Sequence, residues 1–460
     1  MLTFQDFEKA TEIDNFIFSA IAEHENSEAY KIAKIADLYD KHKNVTIMEY
    51  TKVMYTMTGS PVVDFTASNA KITSNFFRRV NKQRVSYLLG NGVFFDDQST
   101  KDALGEDFDK VMYKLGYNAQ KHGETFGYWD YKKLHMFKLT EFVPLLDEET
   151  SALRAGIRYW RIDDTKPLYI VLYEEDGFTK YVSKTDGKLE EQEPKQAYIK
   201  HVASTEADGE IIVGEENYGS LPIIPLWGSE LHQSTLVGLR DKIDSYDLVR
   251  SGFANDLSDV AMIYWLIENA GGMSQDDIAE FRDRLKIQHI ALVKTADGAK
   301  VQGYTQDIPH EAREKFLSGV RTEIYEDFGA LDVHQVSADS TNDHLEAAYQ
   351  PLDEEADDFE YQVLEFLQQL LKLIGIEDEH PQFKRNRISN FKEQTDMVLS
   401  AGEYLDDETV LKHIPWITVD EIEEILKRKD VENAERFEEA KKQFQDEDET
   451  EEENPEENEE

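Results

Sequence analysis

Cysteine is absent from this 460-residue chain, so disulfide bonds, thiol catalysis and cysteine-ligated metal sites are excluded. Long apolar runs are missing too, because the longest, residues 260–267, is far shorter than the ~20 residues that cross a bilayer. The first residues also lack the basic start and apolar core of a signal peptide. We therefore expect no membrane anchor and a protein suited to a reducing cytoplasm.

Basic residues are scarce. The chain has 50 Lys and Arg residues against 95 Asp and Glu residues, which gives a formal net charge of −45. Residues 446–460 hold eleven acids and no base, so −34 remains on the rest, and we predict that this low-complexity tail is disordered. Such a charge repels nucleic acid at long range, which argues against a tight DNA binder but not against a protein that DNA slides past.

Catalytic motifs are also missing. The sequence has no Walker loop, no HExxH, no Cys/His cluster and no Gly-x-Ser-x-Gly elbow. Gly90-Asn-Gly92 lacks the third glycine of a dinucleotide loop and is typical of a helix end. His310-Glu311 lacks a second histidine four residues later and is typical of a helix start. We predict that the protein is not an enzyme and carries no cofactor or metal.

Two charged clusters have both a functional and a structural interpretation. A dense acidic patch could hold a divalent metal, but no glycine turn or nucleophile accompanies it, so a solvated helix face is favoured. A basic cluster could contact phosphates, but in so acidic a chain a salt-bridged face is favoured. The acidic patch is Asp353, Glu354, Glu355, Asp357 and Asp358, and the basic cluster is Arg78, Arg79, Lys82 and Arg84.

The amino-terminal half predicts an α+β fold. Residues 3–43 are interpreted as two amphipathic helices, Ser68 to Leu89 as a helix with Ser68 at its N-cap, and residues 106–121 as another helix. Residues 124–226 alternate polar and apolar side chains in short runs separated by turn signals such as Asp176-Gly177, which indicates an antiparallel sheet. The whole chain is predicted to be mainly helical.

Three long helices dominate the second half. Apolar residues from Leu239 to Tyr264 recur at steps of three and four, which predicts a helix of about 30 residues with one apolar stripe. Similar stripes predict helices near 308–328 and 343–374, and Pro351 is expected to bend the latter. Between the first two, Ser274 begins a predicted short helix, and strands Gln288–Lys294 and Lys300–Tyr304 form a predicted hairpin. Residues 330–342 are predicted to form a mobile, polar loop.

This order of elements resembles the portal proteins of tailed bacteriophages, the family with a double-helical stem. The resemblance extends from about Asp64 to Trp416 and rests on three stretches in the expected order. They are NAKITSNFFRRVNKQRVSYLLGNGV (69–93), similar to the family's helix with a Tyr-Leu-Leu-Gly turn, YGSLPIIPL (218–226), similar to its strand before the stem, and IDSYDLVRSGFANDL (243–257), similar to its stem-entry helix.

The resemblance implies a portal-type subunit with a wing, a two-helix stem, a small α/β clip, a long kinked helix and a helical crown. The implied divisions are wing 1–235, stem helix 236–265, clip 266–306, stem helix 307–329, tunnel loop 330–342, kinked wing helix 343–375, crown 376–445 and acidic tail 446–460.

The resemblance also implies functional residues. The tunnel loop would narrow the channel and approach DNA, while the clip would meet a partner. Acids outnumber bases on the first stem helix, where Asp241, Asp244, Asp247, Asp256 and Asp259 predict an acidic wall past which DNA slides. The candidate residues are Asp332, Val333, His334, Gln335 and Val336 in the tunnel loop, Arg240, Lys242, Arg250, Arg313 and Lys315 on the stem, and Lys294 and Lys300 in the clip.

The implied function is a ring, usually of twelve copies, at one capsid vertex, assembled in the host cytoplasm and passing double-stranded DNA. Its expected partners are the terminase large subunit, a head-completion or adaptor protein, and the major capsid and scaffold proteins. Two alternatives stay open: an oligomeric scaffold or adaptor without a pore, and an acidic metal-dependent nuclease that rests on the carboxylate patch alone.

Overall fold

A computed structural model describes most of the chain. The described residues are 2–56, 58–64, 68–184, 188–206, 209–260, 264–268, 274, 276, 300–304, 309–332, 342–387, 395, 398, 400, 409–411, 425–429 and 431. The chain divides into two compact units, residues 1–330 with 351–386, and residues 331–350 with 387–460.

Ten helices lie in the described part of the chain. They are α1 (Phe4–Lys9), α2 (Ile13–Asn26), α3 (Glu28–Asp40), α4 (Val45–Glu49), α5 (Phe76–Leu89), α6 (Gln98–Leu104), α7 (Phe108–His122), α8 (Leu236–Val260), α9 (His310–Asp327) and α10 (Asn342–Leu373).

The described strands pair in an antiparallel manner throughout. They are β1 (Val53–Tyr55), β2 (Pro61–Val63), β3 (Val93–Phe94), β4 (Glu124–Trp129), β5 (Leu134–Lys138), β6 (Phe142–Leu146), β7 (Leu153–Trp160), β8 (Leu168–Glu174), β9 (Gly177–Ser183), β10 (Glu190–Gln196), β11 (Ile199–Glu206), β12 (Gly209–Glu216), β13 (Ile223–Trp227), β14 (Tyr264–Glu268), β15 (Lys300–Tyr304) and β16 (Gln382–Phe383).

The predicted antiparallel region 124–226 is confirmed in type but is divided among three sheets. Strands β6 to β10 form a five-stranded meander, β13, β4 and β5 form a three-stranded sheet, and β11 pairs with β12. Apolar side chains of α2 cover one face of the meander, where Ile17 and Ala20 join Ile157 and Ile170 in one core. The alternating pattern therefore predicted the strands, whereas the division into sheets depends on long-range packing.

The main core lies between α7, the three-stranded sheet and the second half of α10. Met112 and Leu115 of α7 pack with Val363 and Phe366 of α10, and all four side chains are buried. Pro351 lies within α10, as the sequence predicted. The helix continues beyond this proline because its apolar stripe is buried against other elements, and this packing stabilises the helical conformation.

The amino-terminal prediction of two helices is wrong, because residues 4–40 form three. Helix α1 ends at Lys9, and α2 begins at Ile13. Ser27 then separates α2 from α3, since its side chain accepts a hydrogen bond from the Tyr30 N–H and caps the new helix.

The predicted helix start at Ser68 is also wrong, because α5 begins at Phe76. Residues 70–74, which we call the strap, lie along α8 instead. The N–H groups of Ala70, Ile72 and Ser74 donate to side chains of α8 at 2.6, 2.9 and 2.9 Å. Since these side chains satisfy the backbone donors, the segment does not need helical hydrogen bonds.

The first long helix is shorter than predicted. It ends at Val260, and Tyr264–Glu268 forms strand β14, which pairs with β15 in the register Tyr264 to Tyr304. The run Tyr-Trp-Leu-Ile is rich in aromatic and branched residues, which favour a strand over a helix. The predicted strand Lys300–Tyr304 is confirmed, whereas its predicted partner 288–294 and most of the predicted short helix lie outside the described residues.

Candidate functional site: the paired helices α8 and α9

Helices α8 and α9 pack against each other through a shared apolar core. Leu239 and Ile243 of α8 are buried together with Val320 and Ile324 of α9. Gly238 allows close approach at one end, since a Cβ there would lie 2.7 Å from the Phe328 ring. The stripes that predicted two long helices therefore also hold them side by side.

Two ion pairs join the helices at opposite ends. Lys242 pairs with Asp327, and Arg313 pairs with Asp256 at 2.5 Å. The Arg313 guanidinium also lies over the Phe253 ring, 5.7 Å from its centroid. The two pairs are separated by 14 residues on each helix, about 21 Å at the α-helical rise, so they define one antiparallel register.

A polar face of α8 holds the strap and the chain before it. Asp247 is fully buried and accepts hydrogen bonds from Asn44 Nδ2 and, at 2.9 Å, from the Ser74 N–H. One and two turns further along α8, Ser251 and Asn255 accept from the strap. Two extended residues and four helical residues advance by a similar distance, about 6–7 Å, so alternate strap amides meet successive turns.

Asp244 occupies the neighbouring position on the same face. It accepts hydrogen bonds from the hydroxyl groups of Tyr39 and Thr46, the latter at 2.6 Å. Burial, followed by this hydrogen bond to Asp244, raises the pKa of Tyr39 to about 12, so the phenol remains a donor. Desolvation raises the pKa of Asp247, and the negative charge of the neighbouring Asp244 adds to this rise.

These contacts correct the prediction of an acidic wall on the first stem helix. Asp244, Asp247 and Asp256 bind groups within the subunit, whereas Asp241 is exposed. The side chain of Asp259 lies outside the described residues. Exposed acids are concentrated on the second helix instead, at Glu311, Glu314, Glu323 and Glu326.

The five predicted stem cations fall into two groups. Arg240 lies 3.6 Å from Asp244 one turn along the same helix, while Lys242 and Arg313 form the two pairs between the helices. Arg250 and Lys315 are exposed to solvent. Most of the stem cations therefore bind acids of their own subunit.

The predicted tunnel-loop and clip residues are only partly described. Asp332 is buried, with 9% of its surface exposed. Lys300 is the first residue of β15, where it lies opposite Glu268. The other predicted residues, Val333, His334, Gln335, Val336 and Lys294, lie outside the described residues.

The basic cluster is a salt-bridged face, as predicted. Arg84 is buried, lies 3.0 Å from Glu355 and donates to the Phe328 carbonyl at 2.6 Å. Arg78 lies 3.5 Å from Asp40. This cluster therefore ties α5 to its neighbours within the subunit.

The acidic patch is more than the solvated face that we predicted. Arg385 binds Asp353 and Glu360, each at 2.9 Å, and also contacts Asp357. The sequence offered no signal for this contact, since Arg385 lies 25 or more residues from each partner. Within the described ranges, no group of three His, Cys, Asp or Glu residues is arranged to hold a metal ion.

Comparison with known proteins supplies the family. The chain matches the family model "Phage portal protein, SPP1 Gp6-like" over residues 19–435. It is 26% identical over 390 residues to the portal protein of Clostridium phage phiCD119, covering 78% of this chain and 83% of the relative. It is 23% identical over 407 residues to the portal protein of Bacillus phage SPP1, covering 80% of this chain and 77% of the relative.

No helix in the described part of the chain is long and apolar enough to cross a membrane. One solved structure shows a more distant similarity to the chain. The neck of a native GTA particle, computed with C12 symmetry, gives a TM-score of 0.39 at 8% identity, over 75% of this chain and 90% of that chain. Because the family model spans most of the sequence, the chain belongs to the SPP1 Gp6-like family of phage portal proteins.

Proposed function

We propose that copies of this chain close into a ring at one capsid vertex, and that double-stranded DNA passes through the central channel during packaging and ejection. Membership of the portal family carries this proposal, and the antiparallel pair α8–α9 supports it. Two helices that share a core and are joined by ion pairs about 21 Å apart form a stiff rod, which suits a channel wall.

The charge of this rod favours sliding of DNA over binding. Helices α8 and α9 together carry six Lys or Arg residues and ten Asp or Glu residues. Arg240, Lys242 and Arg313 bind acids of the same subunit, so they are not free to replace counterions on DNA phosphates. Since counterion release provides most of the affinity for DNA, contacts with this surface are weak and independent of sequence.

The proposal also covers the number of subunits, the residues that approach DNA and the partners of the ring. The ring has twelve copies, and the tunnel loop 330–342, with Val333, His334, Gln335 and Val336 at its centre, approaches DNA. The clip, including Lys294 and Lys300, contacts the terminase large subunit and then a head-completion protein. The crown faces the capsid interior, the major capsid and scaffold proteins surround the ring, and assembly takes place in the host cytoplasm.

A scaffold or adaptor without a pore is the second candidate, because the same apolar stripes could pair helices in a smaller oligomer. The nuclease alternative is not proposed, since Arg84 binds Glu355 and Arg385 binds Asp353 and Asp357, three of the five carboxylates on which it rested. We propose no catalytic role for this chain.

Native mass spectrometry and negative-stain electron microscopy of the purified chain test the proposal. We expect closed rings with a central opening and a mass equal to a whole number of subunits, which is twelve for the ring proposed above. Small oligomers without an opening would support the scaffold alternative. A chain that remains monomeric at all concentrations and salt conditions would contradict both.

A further inference from the structure

The hairpin formed by β1 and β2 is an exposed apolar element. Its strands pair in the register Val53 to Val63 and Tyr55 to Pro61, and Gly59 in the turn has φ +81°. These two strands form a sheet of their own. An isolated two-stranded hairpin is marginally stable in water, so its persistence calls for a further packing partner.

Both faces of the hairpin are open. Val62 and Val63 are consecutive strand residues, so their side chains point to opposite faces, yet they are 44% and 38% exposed. Tyr55 is 73% exposed, and Val53 is 48% exposed. The segment leading into the hairpin extends the apolar surface through Met48 and Tyr50. Contiguous exposed apolar surface of this kind marks an interaction site.

The hairpin also lacks charge. Residues 53–63 contain no Asp, Glu, Lys or Arg, although charged residues make up 32% of the chain. A nucleic-acid partner would require cations here, and a basic protein would require acids. Neither is present in the hairpin, which leaves an uncharged apolar surface as the matching partner.

We infer that the β1–β2 hairpin docks on a neighbouring copy of this chain and forms part of the contact between subunits. Two copies that each carry a net charge of −45 repel each other, so close contact is least costly where charge is absent. A cyclic ring joins one patch on each subunit to a different patch on the next, which gives a protruding element a receiving surface. The inference rests on the proposed ring.

Because the chain lacks cysteine, single cysteines can report on this contact. Tyr55→Cys places a thiol on the hairpin, and Ile162→Cys places one at a position that is equally exposed, 73% in both cases. In assembled rings, we expect maleimide labelling at position 55 to slow by about tenfold or more relative to position 162, as burial in an interface requires. A photoactivatable cross-linker at position 55 should join two copies of the chain.

Substitutions in the hairpin provide a second test of this contact. Tyr55→Asp combined with Val62→Asp should raise the concentration needed for half-assembly by at least about tenfold, the effect of losing one buried anchor. Ile162→Asp, the matched control, should leave it unchanged. Both variants should keep the thermal unfolding midpoint of the separated subunit, because the altered side chains are exposed.

The outcomes separate the two proposals. Rings that form normally with the double variant, with position 55 labelled as fast as position 162, would overturn the hairpin contact and leave the ring intact. Cross-links from position 55 to a terminase or capsid protein rather than to a second copy would also overturn it. Failure of the unaltered chain to form rings would remove the proposed function and this inference together.

Discussion

At the residue scale, ion pairs within the subunit decide which charges are available to partners. Arg84 is the most enclosed of the cations with named partners, since 6% of its side chain is exposed and it contacts both Glu355 and the Phe328 carbonyl. Its role is therefore to hold α5 against the end of α9 and against α10. A buried cation of this kind contributes to function only through the geometry that it maintains.

Removal of Arg84 should destabilise the subunit. We expect Arg84→Ala to lower the free energy of unfolding by about 3 kcal/mol, at the lower end for a broken buried pair because Glu355 is 35% exposed. Lys82→Ala, an exposed position on the same helix, should change it by less than about 0.5 kcal/mol. Urea titration measures both, and equal values for the two variants would contradict the assigned role.

His24 gives the subunit a pH dependence whose direction follows from its burial. Its Nε2–H donates to the Leu139 carbonyl at 2.8 Å, and desolvation lowers the pKa of the imidazole below its ordinary value of 6.5. The unfolded chain therefore takes up a proton near pH 6.5, while the folded chain does so only at lower pH. Stability is consequently highest above this range and is lost as the pH falls below it.

We expect His24→Gln to reduce the loss of unfolding free energy between about pH 7.5 and about pH 5.5, where one such group contributes at most about 1.4 kcal/mol per pH unit. His42→Gln, at an exposed position, serves as the control. Urea titrations at a series of pH values provide the measurement. If the unfolding free energy of His24→Gln fell with pH as steeply as that of the unaltered chain, the role assigned to His24 would be contradicted.

At the scale of elements, the strap shows how side chains replace regular backbone pairing. Its three amides donate to Asn255, Ser251 and Asp247 on successive turns of α8. Any movement of α8 along its axis would break these bonds together. Together with the contacts of Tyr39, Asn44 and Thr46, the strap therefore keeps α8 in register with the amino-terminal part of the same unit.

Loss of one strap acceptor should have a local effect. We expect Asn255→Ala to speed hydrogen exchange of the Ala70 amide by about fivefold, the value of one hydrogen bond near 1 kcal/mol. Ser258→Ala is a suitable control, since its hydroxyl donates to the Ala254 carbonyl of the same helix. Faster exchange along the whole of α8 would contradict the local role of this hydrogen bond, and so would an unchanged exchange rate at Ala70.

The same element marks the limit of prediction from sequence. Long apolar stripes predicted α9 and α10 to within three residues at each end, because a period of 3.6 is a local property. The start of α5 was missed because its preceding amides are satisfied by α8, more than 170 residues away. The sequence predicted β10 only as part of an antiparallel region, because its residues are almost all exposed and charged or polar and so lack an alternating pattern of their own.

The candidate site was predictable in outline only. The two long helices α8 and α9 followed from periodicity and from the resemblance to portal proteins. Three of the five carboxylates in the predicted acidic wall on α8 are bound by Tyr39, Thr46, Asn44 and Arg313. The sequence did not indicate these contacts, because partners that are distant in sequence leave no local trace. Charge counts along a helix therefore overestimate the charge that a channel presents.

At the scale of the whole molecule, net charge opposes assembly. Copies that each carry −45 repel one another when they are brought together, and added salt screens this repulsion. We expect the concentration for half-assembly to fall when salt is raised from about 0.05 M to about 0.5 M, where the screening length drops severalfold. Sedimentation velocity measures this shift. Rings that dissociate as salt increases would show instead that ion pairs between subunits hold them together.

The proposed function requires DNA to pass through a channel lined by α8, α9 and the loop 330–342. Photo-cross-linking in heads filled with DNA tests this, with a photoactivatable reagent attached to single cysteines at Gln335 in the loop, Glu314 on α9 and Ile162 as the control. We expect cross-links to DNA from the loop or from α9 and none from position 162. Filled heads in which neither position 335 nor position 314 cross-links to DNA would contradict it.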